Sequence, residues 1–157
     1  MESCEVAVVG GGSAGLMAAA AAAQAGARVE VFERLPGPGR KMCATGGGRC
    51  NLTRHAAAEE IMAAFGKRGR FMAPALEKLD PPGICRYFAG LGVPTASEDG
   101  VHVFAASGRA EDVANALQKD CLKRNVRVRT GERVTSLLIE DGAIRGLEAR
   151  GRRIRAR

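Results

Sequence analysis

The first 33 residues combine two short apolar runs with a segment that is rich in alanine. Residues 5–9 are a β-branched run typical of a buried parallel strand, and the glycines at 10–12 end it. Alanine, leucine, methionine and glutamine dominate residues 13–25, which predicts a helix with Gly26 as its C-terminal stop. Apolar and polar residues alternate over 27–33, so we predict a second strand and a right-handed βαβ unit.

The middle of the chain has the pattern of a loop followed by a helical insertion. Residues 34–53 hold two prolines and five glycines and are predicted to be a loop. Helical periodicity then covers residues 57–65, 73–79 and 81–91. Asp80 followed by Pro81 is typical of a helix start, with Asp80 as the N-cap. Residues 101–104 predict a short strand.

The last third of the chain returns to strands. Residues 110–124 predict a helix that ends at Asn125, a residue that tolerates left-handed backbone angles. A core strand and a three-stranded meander follow, over residues 126–129, 133–139, 143–149 and 152–155. The predicted segments are therefore 1–53 with the βαβ unit and glycine-rich loop, 54–109 with the helical insertion, and 110–157 with the final helix and strands.

The composition is that of one globular domain. The chain has 157 residues, of which 46% are hydrophobic and 26% charged, so disordered and collagen-like classes are excluded. The apolar run over 14–23 is too short to cross a bilayer, and Glu2 and Glu5 stand where a signal peptide needs basic residues. Five cysteines without a Cys-x-x-Cys pair argue against a disulfide scaffold and a metal site. We expect a cytoplasmic protein with no metal and no membrane partner.

The net charge of +7 leaves two interpretations open. Six arginines lie between Arg145 and Arg157, so much of the excess sits at the C-terminal end. It suits a solvated strand face together with anion-binding residues for a cofactor, or equally a nucleic-acid surface. Aromatic residues are only 4% of the chain, so rings on which bases could stack are scarce.

A Gly-x-Gly-x-x-Gly pattern, formed by Gly10, Gly12 and Gly15, stands where the first strand meets the first helix. In this context Gly10 permits a tight turn, Gly12 lets the backbone approach a pyrophosphate, and Gly15 lets helix and strand pack closely. The N–H groups of Ser13, Ala14 and Gly15 lie at the positive end of the helix and are expected to bind phosphate oxygens. The pattern predicts a dinucleotide-binding site.

The end of the second strand carries the next part of this site. Glu33 is in a position to accept both hydroxyls of an adenosine ribose. Arg34 beside it is compatible with a 2′-phosphate, so the fingerprint alone leaves NAD, NADP and FAD open. A simple NAD domain returns quickly to another βαβ unit, whereas here a helical insertion and a meander follow. That layout is typical of flavoproteins with two dinucleotide-binding domains, so we predict FAD.

A second glycine cluster covers residues 39–53 and has the sequence GRKMCATGGGRCNLT. Its backbone N–H groups can form an anion-binding nest, to which Arg40, Lys41 and Arg49 add positive charge. Cys43 and Cys50 are interpreted as unpaired thiols rather than as a redox pair, because a glycine loop separates them.

This cluster resembles the signature of the BaiN/YhiN-like flavoproteins, which are NAD(P)/FAD-dependent oxidoreductases that include aminoacetone-oxidase-like enzymes. The family signature is close to GRKxxxTGxGRCNxTN, and its last Asn is Arg54 here. Residues 100–107, GVHVFAAS, are similar to a second family block near GRVFPxS, with His102 in place of Arg and Ala105 in place of Pro.

The resemblance implies an α/β fold, a Rossmann-type FAD-binding domain with a parallel sheet, helices and a β-meander. The residues it assigns to the FAD pyrophosphate are Gly10, Gly12, Ser13, Ala14 and Gly15. It assigns Glu33 to the adenosine ribose and the backbone of Val134 to the adenine. Expected along the pyrophosphate and the flavin are Arg40, Lys41, Thr45, Gly46, Gly47 and Gly48.

Members of this family are more than twice as long, so the resemblance covers all of this chain but only the N-terminal part of the family. In the family's sheet, strand 6–9 has strand 29–33 and then strand 126–129 on one side. Its neighbour on the other side is a strand that would come after residue 157. We therefore expect the domain to be incomplete at its C-terminus, with one edge of strand 6–9 unpaired. The catalytic residues, the substrate and the oligomeric state are not assigned.

The predicted function is flavin-dependent hydride transfer, with NAD(P)H or the substrate as the donor and a small molecule as the substrate. A first alternative is a truncated fragment that binds a nucleotide without turnover, which a colourless purified protein would favour. A second is an FAD-dependent protein that modifies RNA. We rank it last and do not expect a nucleic-acid partner, because the glycine cluster differs from the signature that we associate with such flavoproteins.

Overall fold

The computed structural model describes residues 2–157 and contains helices and strands in most of the segments that the hydrophobic pattern predicts. The strands, in chain order, are β1 (Glu2–Ser3), β2 (Val6–Val9), β3 (Val29–Glu33), β4 (Thr53–Arg54), β5 (Thr95–Ala96), β6 (His102–Ala105), β7 (Arg127–Thr130), β8 (Val134–Glu140), β9 (Ala143–Ala149) and β10 (Arg152–Arg155). The α-helices are α1 (Ser13–Gln24), α2 (Arg40–Cys43), α3 (Ala58–Ala64), α4 (Ala73–Lys78), α5 (Pro81–Gly90) and α6 (Ala110–Lys123). Short 3₁₀ helices cover Gly46–Gly48 and Gly66–Met72.

The chain forms two compact units. One comprises residues 2–42 and 117–157, and the other comprises residues 43–116. The division falls inside the glycine cluster and inside α6, whereas the sequence pattern places segment limits after residues 53 and 109. Neither boundary between the two units is visible in the sequence pattern, because the glycine cluster continues across the first and helix α6 across the second without a change in composition.

A parallel sheet with the strand order β2-β3-β7 forms the centre of the first unit. Val6 pairs with Val29, and Val31 pairs with Val128. Every residue of β3 is buried, as its central position requires, while Val9 of β2 is 58% exposed. The predicted order of these three strands is therefore confirmed. Among the described residues, β3 is the only strand that pairs with β2.

Helix α1 packs against β2 and β3 through its small side chains. Leu16, Ala19 and Ala20 are buried, so the alanine run lets the helix lie close to the sheet. The C-terminal half of α6 also reaches α1, since the Cys121 thiol donates to the Leu16 carbonyl oxygen at 3.3 Å. Asn125 ends α6 with a φ of 59°, as its residue type predicts.

The antiparallel meander predicted at the C-terminal end is confirmed and gains one strand. Its sheet has the order β1-β10-β9-β8, and β1 pairs in parallel with β10. Residues buried between this sheet and β3 are Cys4, Phe32, Leu147, Ala149 and Ile154. A side chain at Gly146 would overlap the Ile154 carbonyl oxygen, so this glycine lets β9 and β10 come together. Two residues are too few for β1 to show a pattern of its own.

A charged network covers part of the parallel sheet. The buried Glu30 accepts a 2.6 Å hydrogen bond from Arg129, whose guanidinium also forms an ion pair with Glu2 at 2.5 Å. Burial opposes the charge of Arg129, but the bonds to Glu30 and Glu2 outweigh it, so the pKa of Arg129 is raised. The same hydrogen bond from Arg129 lowers the pKa of Glu2. Adjacent strands therefore carry opposite charges that compensate one another.

The second unit is built from the helices of the predicted insertion and a small antiparallel sheet. Helix α3, the 3₁₀ segment Gly66–Met72 and α4 pack together, while α5 contacts β4 and β5. The sheet has the order β4-β6-β5, of which only β6 is predicted from sequence. Asp80 caps α5 as predicted, because its carboxylate accepts from the Gly83 N–H at 2.7 Å.

The segment 34–53 is not entirely a loop. It contains α2, the 3₁₀ turn Gly46–Gly48 and the first residue of β4. Met42 is buried, and this one apolar contact in a glycine-rich stretch is too little to predict a helix of four residues. Within residues 2–157 no helix combines the length and the apolarity of a membrane span.

Candidate functional site

Two of the three fingerprint glycines are required by the backbone itself. Gly10 has a φ of 98°, in the left-handed region that glycine tolerates best, and its N–H donates to the Phe32 carbonyl oxygen at 2.9 Å. A Cβ at Gly15 would overlap the Gly10 carbonyl oxygen. Both glycines are therefore needed to turn the chain from β2 into α1 at close range.

Gly12 has no such structural requirement. Its φ of −77° is accessible to any residue, and a Cβ built on it would meet nothing within 4 Å. The fold would thus accept a side chain at this position, whereas a ligand that approaches the backbone would not. Gly12 is exposed, and the space beside it is open.

Helix α1 begins at this open space. Gly12 is its N-cap and offers no side-chain acceptor, and the first turn contains no acidic residue. The first-turn N–H groups of Ser13, Ala14 and Gly15 have no partner within the helix by its geometry. They lie at the positive end of the helix dipole, where an anion is stabilised.

Glu33 stands at the end of β3, beside the same turn. Its Oε2 accepts from the Gly11 N–H at 2.7 Å and its Oε1 from the Leu35 N–H at 2.8 Å. Only 8% of Glu33 is exposed, so these bonds fix the carboxylate in one orientation. Each carboxylate oxygen has a further lone pair with which it can accept a ligand hydroxyl.

A pocket of about 300 Å³ is lined in part by Glu33. It is lined by Val9, Gly10, Phe32, Glu33, Arg34, Glu132, Arg133 and Val134. Four of the predicted site residues therefore meet here, although they come from distant parts of the chain: Gly10, Glu33, Arg34 and Val134. The turn before β8 brings Val134 to Glu33, because the Glu132 N–H donates to the Glu33 carbonyl oxygen at 2.8 Å.

Three residues of this site escape the sequence reasoning. A Cβ at Gly11 would lie 2.8 Å from Cβ of Pro38 and 3.3 Å from Oε2 of Glu33, so this position also requires glycine. Glu132 and Arg133 line the pocket, and Glu132 pairs with Arg152 at 2.5 Å. The three glycines in a row give a signal for Gly11, but nothing in the sequence marks Glu132 or Arg133.

Arg40 and Lys41 follow the same turn closely. The Gly39 N–H donates to the Gly11 carbonyl oxygen at 2.8 Å, which ties the start of the second glycine cluster to the first. Gly39 has a φ of 78°, and α2 begins directly after it, so both cations are exposed on a short helix next to the turn. They can add positive charge near a bound anion.

The predicted loop residues Thr45, Gly46, Gly47 and Gly48 belong to the second unit. Gly47 and Gly48 have φ values of 64° and 86°, and the Gly48 N–H donates to the Thr45 carbonyl oxygen at 3.0 Å. Their predicted role beside a cofactor stays a prediction. Burial raises the pKa of the nearby Cys50 thiol, and both Cys43 and Cys50 are free thiols.

The geometry of the first unit fits a dinucleotide. The open space at Gly12 and the uncapped start of α1 suit a pyrophosphate, and the fixed carboxylate of Glu33 suits two vicinal hydroxyls. The pocket beside Glu33 offers room for a base next to the backbone of Val134.

A family model described as "HI0933-like protein Rossmann domain" matches residues 4–157. A 3-dehydro-bile acid delta(4,6)-reductase of Clostridium scindens is 33% identical over 134 residues, which are 84% of this chain and 32% of that protein. A ribosomal RNA dihydrouridine synthase of Escherichia coli is 45% identical over 53 residues, which are 34% of this chain and 13% of that protein. The chain thus spans about a third of the length of the first relative.

Solved structures share the fold. A 3-ketosteroid-delta4-(5alpha)-dehydrogenase of Rhodococcus jostii superposes with a TM-score of 0.71 at 21% identity, covering 99% of this chain and 44% of that one. The quinol fumarate reductase subunit FrdA of Escherichia coli gives a TM-score of 0.71 at 24% identity, covering 99% of this chain and 32% of that one. The chain therefore has the Rossmann-type α/β fold expected of an FAD-binding domain.

Proposed function

The chain belongs to the family described as HI0933-like protein Rossmann domain, and from this premise we propose that it is the FAD-binding part of a flavin-dependent oxidoreductase. Within that family we assign it to the BaiN/YhiN-like branch, because of the glycine cluster at residues 39–53. A small molecule is the proposed substrate and NAD(P)H a candidate electron donor.

The observation that carries this proposal is that the open space beside Gly12 and the fixed carboxylate of Glu33 occur at the same turn. Gly12, Ser13, Ala14 and Gly15 would hold the pyrophosphate through backbone N–H groups at the start of α1. Glu33 would accept the ribose hydroxyls. When bound, FAD supplies two-electron hydride chemistry at its flavin ring.

The residues of this chain hold and orient a cofactor, and no side chain among them is proposed to react. The dipole of α1 and the exposed Arg40 and Lys41 would offset the negative charge of the pyrophosphate. Arg34 and Arg133 line the pocket and would contact polar groups of the cofactor there. Val134 would contact the adenine through its backbone. A role beside the flavin for Thr45, Gly46, Gly47 and Gly48 is part of this proposal and rests on the sequence resemblance alone.

Cofactor release tests this proposal. The purified protein is denatured, and the supernatant is analysed by chromatography for FAD, FMN, NAD and NADP. We expect FAD, and a yellow protein whose flavin fluorescence is quenched when bound. Recovery of NAD without flavin would overturn the proposal, and a colourless protein that binds no added FAD would favour a non-catalytic fragment.

The reaction class is proposed from the two curated relatives. One is a reductase of a 3-dehydro-bile acid and the other makes dihydrouridine in ribosomal RNA, so both names describe a reduction. We propose reduction of a carbon–carbon double bond as the first reaction to test, with NADH and NADPH as alternative donors. Oxidation of the reduced nicotinamide, followed at 340 nm with a conjugated ketone as acceptor, measures it.

A second candidate function is the reduction of a base in RNA. The 45% identity to the dihydrouridine synthase over 53 residues favours it, as does the net charge of +7. Mass spectrometry of ribosomal RNA from cells with and without the gene distinguishes the two candidates. A loss of dihydrouridine that the gene restores supports the RNA substrate, and unchanged RNA leaves the small molecule.

The cytoplasm is the proposed location. All five cysteines are free thiols in the structure, which suits a reducing compartment. Fractionation of cells that express a tagged full-length protein tests this proposal, since enrichment in a membrane or secreted fraction would contradict it.

A further inference from the structure

Two exposed aromatic rings lie close together in the second unit. Phe65 is 63% exposed and Phe71 is 91% exposed, whereas Phe32 and Phe88 are buried. Both exposed rings belong to residues 65–72, with the sequence FGKRGRFM, which we call the aromatic–basic segment. An exposed phenylalanine costs free energy in water, so two in one short segment mark a surface with a partner.

Three cations lie between these two phenylalanines in the sequence. Lys67, Arg68 and Arg70 are all exposed, and the aromatic–basic segment contains no acidic residue. No carboxylate of the described residues forms an ion pair with any of the three. Arg152 and Arg155, at the arginine-rich C-terminal end, pair with glutamates instead. Part of the excess charge is therefore concentrated on the aromatic–basic segment.

The segment is held as a surface and is not a free loop. Most of it is a 3₁₀ helix, Gly66–Met72, and a Cβ at the buried Gly69 would overlap the Met62 carbonyl oxygen of α3. The Phe65 N–H also donates to the Met62 carbonyl oxygen at 3.1 Å. The backbone at Gly69 lies directly against α3, so the side chains on either side of Gly69 remain exposed. They line a groove of about 620 Å³: Phe65, Lys67, Arg68, Phe71 and Met72.

We propose that the aromatic–basic segment binds single-stranded nucleic acid. Such a strand alternates planar bases with phosphates, and the groove offers rings for stacking beside guanidinium and ammonium groups. The charge of the three cations favours a polyanion, and the separation of the two rings by cations suits bases better than a continuous apolar partner. This inference goes beyond the flavin function and holds whichever substrate the protein reduces.

Fluorescence anisotropy of a labelled single-stranded RNA of twelve mixed nucleotides tests it, with the full chain as titrant and flavin content recorded. Phe65→Ala with Phe71→Ala should weaken binding by at least about fivefold for each ring lost. A matched apolar control is Ile139→Ala with Ile144→Ala, which removes side chains that are 64% and 61% exposed in another region. The control should bind like the wild type. Phe65→Tyr with Phe71→Tyr should retain affinity, and the corresponding Leu variants should lose it.

Charge is tested with two triple variants of equal net charge. Lys67→Gln with Arg68→Gln and Arg70→Gln should lower the slope of log affinity against log salt by about 2, since each phosphate contact contributes about 0.7. Arg145→Gln with Arg153→Gln and Arg157→Gln removes three other exposed cations and should leave most of the affinity. Thermal melts identify any variant that fails to fold, and the single substitutions then replace it.

Three results would overturn the proposal. One is the absence of RNA binding by the wild type at low salt. Another is an equal loss in the two triple variants, because net charge alone would then explain the affinity. The third is tighter binding to vesicles of anionic phospholipid than to RNA, with the same dependence on Phe65 and Phe71, which would assign the segment to a membrane surface.

Discussion

The carboxylate of Glu33 and the backbone N–H of Gly11 are joined by a hydrogen bond of 2.7 Å across the turn that follows β2. Glu33 therefore holds the glycine turn in place and is also one of the residues that line the pocket beside it. A residue with both roles should affect folding and cofactor binding, and variants can separate the two effects.

Glu33→Ala should lower the free energy of unfolding by about 1–3 kcal/mol, because the buried Gly11 N–H loses its acceptor. It should also weaken FAD binding by a similar free energy. Glu5→Ala is the matched control, since Glu5 likewise accepts from a backbone N–H, that of Arg28 at 2.8 Å, but at an exposed position. Urea unfolding and flavin fluorescence titration measure both effects. Equal FAD affinity in both variants and the wild type would contradict the assigned ribose site.

Gly12→Ala and Gly15→Ala should have opposite consequences. A Cβ at Gly12 meets nothing within 4 Å, so this variant should fold, lose at most about 1 kcal/mol because alanine is a poorer N-cap than glycine, and lose FAD affinity. A Cβ at Gly15 overlaps the Gly10 carbonyl oxygen, so that variant should be strongly destabilised. Gly12→Val should abolish FAD binding. Thermal melts with and without FAD distinguish these effects, and a Gly12→Ala variant that retains full affinity would refute the pyrophosphate site.

Arg129→Ala should destabilise the protein by about 3 kcal/mol, because it removes the 2.6 Å partner of the buried Glu30 and leaves only the more exposed Arg127 at 3.5 Å. The double variant Arg129→Met with Glu30→Gln should recover much of this loss, since no buried charge then remains uncompensated. Arg155→Ala serves as the control, because it breaks an exposed pair with Glu140 and should cost little. Chemical unfolding of the four proteins gives the comparison, and an equal loss for Arg129→Ala and Arg155→Ala would count against the network.

Stability should fall in acid partly because of Asp99. Hydrogen bonds from the His102 ring and from the N–H groups of His102 and Val101 hold the pKa of Asp99 well below its usual range. A lowered native pKa stabilises the fold above about pH 4 and is lost progressively at lower pH. Asp99→Asn should flatten the fall of the denaturation midpoint between pH 5 and pH 2, relative to the wild type. An unchanged slope would show that these bonds do not stabilise the folded state.

Much of the fold could be predicted because its signals are local. The β-branched run before three glycines and the alanine-rich segment after them give the βαβ unit, and Asp80 followed by Pro81 gives the start of α5. The meander is equally visible, since its two turns contain glycine and its strands alternate. In each case the residues within the element, or directly beside it in the sequence, are enough to favour its conformation.

Other elements depend on distant partners and have no local signal. Strand β1 exists through its pairing with β10, and β4 and β5 exist through β6. The helix α2 rests on one buried side chain, Met42, in a stretch whose composition predicts a loop. Two to four residues cannot show a period, so their structure follows only from what they contact.

The residue pattern alone reveals a dinucleotide fingerprint between a strand and a helix, with an acid at the end of the next strand. The tertiary structure adds that Gly11 also requires glycine, because Pro38 and Glu33 lie against the position that its Cβ would take. It also decided that Glu132, Arg133 and Val134 meet Glu33 in one pocket, and that Phe65 and Phe71 are exposed together. The spacing of residues along the chain predicts local conformation. A binding site also needs contacts between residues that are about a hundred positions apart, such as Glu33 and Val134, and only folding brings these residues together.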